Sequence, residues 1–317
     1  MKSPEKERSS SPPKTLPLSP KTTRRLMRLA TYASVSVAST LVLIKLGAWM
    51  LSDSVAVLSS LIDSALDAVA SLLTLFAVHH ALTPADREHR FGHGKAESIA
   101  ALGQAAFITG SAIFLLFESS NRLMRPQSLD HGDLAIVVMA VSVVLTFALV
   151  RLQLYVVRRT GSIAISADSI HYKADLLVNV GIIVSLVLST RLELPRADPL
   201  IAVAVAGYIL YSAWQIGNEA LDSLMDRELS EQDRDRIGAI VAAHAEVKGL
   251  HDLRTRMAGT KFFIQLHLEL PGAMTLHDAH IISDQVEAEL LSEFPGAEVI
   301  IHQDPEGINE RIDNFND

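Results

Sequence analysis

The chain has 317 residues, 49% of them hydrophobic, a positive mean hydropathy and no cysteine. That is too apolar for an ordinary soluble domain, and the missing thiols exclude a disulfide scaffold, thiolate zinc sites, iron–sulfur ligation and a cysteine nucleophile, so any bound metal is held by oxygen and nitrogen. The net charge of −8 conceals an uneven distribution: residues 226–317 carry 8 Lys plus Arg against 19 Asp plus Glu (net −11), which leaves 20 against 17 (net +3) for residues 1–225.

Residues 1–22 are rich in Ser, Pro and Lys and too polar to bury a core, which predicts a disordered tail. Apolar segments follow at 29–51, 55–78, 99–117, 134–150, 176–189 (with a more polar lead-in from 163) and 199–217. A bilayer-spanning helix needs about 20 apolar residues, so six transmembrane helices are predicted over 23–225. The first segment is long and is followed at once by another, which argues against a cleaved signal. Lys14, Lys21, Arg24, Arg25 and Arg28 precede helix 1, Arg87, Arg90 and Lys95 follow helix 2, and Arg151, Arg158 and Arg159 follow helix 4. The opposite loops carry only Arg122, Arg125, Arg191 and Arg196. The positive-inside rule then places both termini in the cytoplasm.

After Asp226 the hydrophobic period changes. A helix at 230–245 opened by Ser230, strands at 250–257 and across 262–270, a helix at 276–294 and a strand at 298–304 give the order αββαβ, a small α+β domain over 226–306 followed by a short tail at 307–317. This part holds six of the 12 histidines. Its acidity repels phosphate backbones, so it points to cations and not to nucleic acid.

Ionisable residues inside a membrane span are costly and mark function by default. Helix 2 carries Asp63 and Asp67, and helix 5 carries His171 and Asp175, each pair spaced i, i+4 on one helix face. If the two faces meet, three carboxylates and an imidazole converge, a set that suits a tetrahedral dication such as Zn²⁺. The same spacing would serve a proton relay without metal. Lys45, Asp53 and Asp168 are less specific, the last two as supporting groups. Crowded carboxylates in a poorly solvated place cannot all ionise cheaply, so a metal-free site would hold protons that a dication displaces. A site of that kind, opened alternately to each side, is an exchanger.

Outside the membrane, Asp86, His89 and His93 in the loop after helix 2 have a spacing compatible with a second metal site, or with a merely solvated polar loop. His251, His267, His280, His302 and Asp304 fall on three predicted strands and a helix and would close one or two further sites, unless some are surface histidines on an acidic face. His79, His80, His131, His244 and His277 pair with nothing at informative spacing and read as surface histidines.

The runs Asp63-Ser-Ala-Leu-Asp67, Phe91-Gly-His-Gly-Lys95-Ala-Glu-Ser98, Ala167-Asp-Ser-Ile-His171-Tyr-Lys-Ala-Asp175, His251-Asp-Leu-Arg-Thr-Arg256 and Ile300-Ile-His-Gln-Asp304-Pro305 resemble the cation diffusion facilitator family, specifically its bacterial zinc and ferrous-iron efflux branch. The likeness covers about residues 26–305. It implies a homodimeric, proton-coupled antiporter of the inner membrane, six helices plus a cytoplasmic metallochaperone-like domain, exporting Zn²⁺ with Fe²⁺, Cd²⁺, Co²⁺ and Mn²⁺ as further candidates. By position it makes Asp63, Asp67, His171 and Asp175 the transport site and Asp86, His89 and His93 a loop site. His251, His267, His280, His302 and Asp304, with Gln303 nearby, become a binuclear cytoplasmic site, and Lys95 with Asp226 an ion pair locking the dimer, shielded enough to exceed a surface salt bridge. The readings kept open beside this one are a proton-linked transporter of a non-metal substrate and a membrane-anchored metal sensor. A metalloenzyme is disfavoured, since HExxH, GxSxG and a nucleophile–base pairing are all missing from the sequence.

Overall fold

The computed structural model describes residues 18–52, 55–124, 133–192 and 197–307. The expectations for Asp53, Arg125, His131, Arg196 and the tails before residue 18 and after residue 307 lie outside these residues.

Six long helices come first: α1 (Pro20–Ser52), α2 (Val55–Ala81), α3 (Ala96–Met124), α4 (Asp133–Thr160), α5 (Ile163–Leu192) and α6 (Ala197–Leu224). Five of them, α1 to α4 and α6, are long and apolar enough to cross a membrane by length and composition. α5 matches them in length at 30 residues, but its first half carries Asp168, His171, Lys173 and Asp175. Each helix runs past its apolar segment, because hydropathy marks only the lipid-facing stretch while backbone hydrogen bonding continues into polar turns. α1 thus opens at Pro20, inside the stretch expected to be tail. Proline suits a first helical turn, and Ser19 caps it: its carbonyl accepts the Thr23 N–H at 3.0 Å and its hydroxyl the Thr22 N–H at 3.4 Å.

The helices meet through small side chains. Ala101 and Ala105 of α3, Ala167 of α5 and Ala220 of α6 are buried together, as are Ala112, Ala174 and Ala213 one level further along. Small residues let backbones approach where no water drives apolar association. Phe76, Phe114, Phe147 and Trp214 face outward, as an apolar solvent allows. Between α4 and α5 the chain reverses in two residues: Gly161 takes φ +67° and its N–H closes on the Val157 carbonyl at 2.8 Å, a left-handed helix end that glycine adopts freely.

The C-terminal part follows the expected order, with α7 (Glu231–Ala242), β1 (Gly249–Ala258), β2 (Lys261–Leu270), α8 (Leu276–Glu293) and β3 (Glu298–Pro305). The sheet order is β1-β2-β3, antiparallel between β1 and β2 and parallel between β2 and β3 across the α8 crossover. Ile264, Leu266, Leu268 and Leu270 alternate on one face of β2 and bury against Ile237 and Val241 of α7 and Ile282, Val286 and Leu290 of α8. His267 and Glu269 point the other way, which leaves one face of the sheet free for polar work.

The two parts lock at a backbone-to-backbone contact. A Cβ built on Gly94 would stand 2.2 Å from the Ala258 carbonyl oxygen, and Gly259, at φ +60° in the two-residue β1–β2 turn, lies against Gly94 and the Glu97 carboxylate. Arg256 stacks on Phe263 at 4.1 Å and on Phe91 of the α2–α3 loop at 5.3 Å. Gly94→Ala is therefore expected to push the hairpin off the loop at about 1–3 kcal/mol, the usual cost of overpacking. The check is a lower Tm in detergent together with faster proteolysis at the Gly259–Thr260 turn, which the contact with Gly94 covers in the unsubstituted protein.

Candidate metal sites

Near the middle of the membrane domain, α2 and α5 present their charged faces to each other. His171 Nε2 is 3.0 Å from Asp67 Oδ1 and 3.9 Å from Asp175 Oδ2, and the three side chains offer ligand atoms all within 4.8 Å of one another. His171 is buried, with Phe107 and Tyr172 on its ring. The fourth expected member does not join them: Asp63 is exposed and lies outside this cluster. The i, i+4 offset keeps Asp63 on the same side of α2, about 6 Å along the axis from Asp67, but α5 covers α2 at the level of Asp67 and leaves Asp63 exposed beyond it. Lys45 of α1 reaches the same region, donating to the Ser64 hydroxyl at 2.6 Å and the Ser60 carbonyl at 3.2 Å.

One turn before His171, Asp168 anchors a buried network that sequence reasoning placed only as a supporting group. Its Oδ2 accepts from Ser34 Oγ (2.5 Å) and Gln153 Nε2 (2.7 Å), its Oδ1 from Gln104 Nε2 (3.2 Å), and Gln104 also donates to Thr74 Oγ1 (2.5 Å). Five helices, α1 to α5, thus converge on one carboxylate beside the site.

In the α2–α3 loop, Asp86, His89 and His93 form a second cluster. The N–H groups of Glu88 and His89 bond Asp86 Oδ1 at 2.9 and 2.6 Å. Oδ2 is left toward His93 Nε2, 3.3 Å away. The His89 N–H above all, with that of Glu88, holds the Asp86 carboxyl below the usual carboxylate range. The residues fit a dication, since the carboxylate is pre-oriented and His93 Nδ1 is buried without a hydrogen-bond partner among the described residues.

The third cluster spans the polar face of the sheet. His251, His267 and His302 stand in register on adjacent strands, and Asp304, two residues past His302, shares their face. Asp304 is only 4% exposed and sits among them, 2.8 Å from His267 Nδ1, 3.3 Å from His251 Nε2 and 3.1 Å from His302 Nε2. Both nitrogens of His251 are buried without hydrogen-bond geometry to any described group, so these residues too fit a cation. His280 is not brought in: it lies on the exposed side of α8, paired with Asp284 at 3.6 Å. Two neighbours went unread in the sequence. Glu269 approaches His251 at 3.2 Å and could have been found two residues past His267 on the same strand face. Asp252 lies 3.7 Å from His267 only because a bulge, with Asp252 at φ +46°, turns it inward, which no spacing rule announces.

Lys95 Nζ meets Asp226 Oδ1 at 2.9 Å and also the Leu224 carbonyl at 3.2 Å, and Arg256 shares the same carboxylate at 3.3 Å. The expected shielding is not found in the single chain. The Lys95 and Asp226 side chains are 35% and 44% exposed, which keeps the pair at about 0–1 kcal/mol because water screens it.

Residues 31–225 match the cation efflux transmembrane domain and residues 229–306 the cation efflux protein cytoplasmic domain. The chain belongs to the cation efflux family. It is 48% identical to the cation-efflux pump FieF of Klebsiella pneumoniae over 284 residues, 90% of this chain and 94% of that protein. It is equally 48% identical to FieF of Shewanella oneidensis over 279 residues, 88% and 94% of the two chains. The metal-bound C-terminal domain of the CzcD transporter from Thermotoga maritima aligns at 31% identity, covering 26% of this chain and all of that one, with a TM-score of 0.24. The protein is therefore a multi-pass membrane transporter of the cation efflux type, with an α+β cytoplasmic domain.

Proposed function

We propose that this cation efflux protein exports divalent metal from the cytoplasm across a bacterial inner membrane in exchange for protons, with Zn²⁺ as its preferred cargo and Fe²⁺, Cd²⁺, Co²⁺ and Mn²⁺ as weaker ones. The observation that carries the reading is the convergence of Asp67, His171 and Asp175 from α2 and α5 at one point in the membrane domain. An oxygen and nitrogen set of this kind suits Zn²⁺ at roughly 2.0–2.2 Å from each ligand, and Asp63 completes a tetrahedron if α2 turns slightly when metal enters. Ligands must be deprotonated to coordinate, so the same groups carry protons on the return half of the cycle. Inward protons then drive outward metal. Both termini face the cytoplasm, residues 23–225 form the transport domain, and residues 226–306 form a metal-sensing domain through which two copies pair. In the sensing domain His251, His267, His302 and Asp304 hold metal, with His280 available to a second ion. Metal there would neutralise the acidic face and tighten the dimer, while Lys95 and Asp226 brace it at the membrane surface.

The experiment is Zn²⁺ uptake into proteoliposomes loaded with a fluorescent zinc indicator, with internal pH followed in parallel under imposed gradients. Zinc flux that scales with the pH gradient and moves protons the other way supports exchange. Zinc flux indifferent to the gradient overturns proton coupling, and gradient dissipation without metal selectivity favours a non-metal proton-linked carrier. For the sensing domain, Asp304→Ala is expected to remove at least one bound Zn²⁺ per chain, counted by elemental analysis after gel filtration, while zinc flux through Asp67 and His171 persists. Retention of the full metal count would reassign the histidines of the sheet to its surface.

A further inference from the structure

The loop cluster has a neighbour that neither the spacing nor the family resemblance assigns to it. His80, in the last turn of α2, places its ring 4.5 Å from that of His93, edge-on at 61°. His89 lies on another side of His93 at 4.6 Å. Two imidazoles sharing one tetrahedral Zn²⁺, each nitrogen at 2.0–2.1 Å, have ring centres about 5 Å apart. Both pairs stand slightly inside that separation. Free imidazole pairs at this distance gain little in water, and His93, flanked by the His80 and His89 rings, is itself 3.3 Å from the oriented Asp86 Oδ2, so a modest rotation of His80 would complete the donor set of a closed metal site.

The backbone holds His80 in place for this. The Thr83 N–H closes on the His80 carbonyl at 2.9 Å and the Thr83 hydroxyl on the His79 carbonyl at 3.3 Å, which ends α2 and turns the chain toward Asp86. Asp86 Oδ1 is occupied by two backbone N–H groups, so Oδ2 remains for a ligand. His93 is only 5% exposed, while His80 is exposed and free to rotate its side-chain torsions toward the ion.

We infer that His80 is a fourth ligand of the loop site, which makes it a closed His₃Asp zinc centre. Three protein ligands leave one coordination position for water and a readily exchanged ion, whereas four close the shell, the hallmark of a structural site. The closed centre would tie the end of α2 to the start of α3, directly above the Gly94 contact with the cytoplasmic domain. The inference rests on the reading of Asp86, His89 and His93 as a metal site.

The test uses the full-length chain in detergent with the other two clusters disabled by Asp67→Ala, His171→Ala, His251→Ala, His267→Ala and Asp304→Ala, and Co²⁺ as the probe. The expected result is an intense visible d–d spectrum of tetrahedral Co²⁺ that His80→Gln converts to the weak spectrum of five- or six-coordinate metal. Affinity by chelator competition should fall at least about tenfold, since even loss of an outer-shell partner costs 10–100-fold. His79→Gln, the exposed neighbouring histidine, should change neither. If His80→Gln behaves like His79→Gln while Asp86→Ala abolishes binding, the loop site stands and the fourth ligand is overturned. If Asp86→Ala also changes nothing, the loop reading fails and takes the inference with it.

Discussion

Zinc flux into proteoliposomes is expected to fall to the level of protein-free vesicles in Asp67→Ala and in His171→Ala. The two side chains face each other at 3.0 Å across the α2–α5 contact, with His171 buried. Removing one partner of a buried charged pair costs about 3–5 kcal/mol. At about 1.4 kcal/mol per tenfold change, a comparable penalty on the bound state is a loss of roughly 100- to 4,000-fold in affinity for the ion. Occupancy at micromolar zinc would then vanish, and transport with it. Asp63→Ala is expected to reduce flux comparably, because a dication left with three ligands is bound too loosely to exclude water. If Asp63→Ala transports normally while Asp67→Ala does not, the site has three ligands, as the facing side chains are placed now. Flux unchanged in Asp67→Ala and His171→Ala together would remove the transport site from α2 and α5 and favour the membrane-anchored sensor, for which metal binding to the sheet histidines would survive alone.

The sequence made the architecture legible wherever one physical period dominated. Long apolar runs located the helices of the membrane domain, and the alternation of Phe263, Gln265, His267 and Glu269 with Ile264, Leu266, Leu268 and Leu270 marked β2 and its two faces. The i, i+4 spacing of His171 and Asp175 likewise put both on one side of α5. Helix ends were less legible, because capping by Ser19 or the reversal at Gly161 depends on a few hydrogen bonds that hydropathy does not register. Tertiary register was least legible. Nothing local says that α2 turns Asp67 inward and leaves Asp63 exposed, that a bulge swings Asp252 toward His267, or that the loop folds His93 back onto His80. The alignment of His251, His267 and His302 across three strands depends on pairing register, which follows from the buried face of β2 and not from any one segment.

Asp168→Leu should be the most destabilising single change in the membrane domain away from the metal ligands. Asp168 is buried at 1% exposure and accepts hydrogen bonds from Ser34, Gln153 and Gln104. Leucine fills a similar volume but accepts none of them. Ser34 and Gln153 can still bond each other at 2.8 Å, and Gln104 keeps Thr74 at 2.5 Å, so the loss is less than three full bonds. Each buried donor left unsatisfied costs about 1–3 kcal/mol, and with partial rescue about 2–4 kcal/mol remains. A Tm lower by several degrees in detergent is the expected readout. Asp168→Asn separates packing from charge: its amide keeps one acceptor but turns a donor toward groups that are already donors, so it should fall between wild type and the leucine variant. The network ties α1, α3 and α4 to α5 one turn from His171, so a second consequence follows for transport. Loss of that anchoring lets the imidazole wander, and zinc affinity should drop in both variants even where the protein remains folded. Wild-type Tm and affinity in Asp168→Leu would mean that small-residue packing alone positions α5, and that the polar network is incidental to the site.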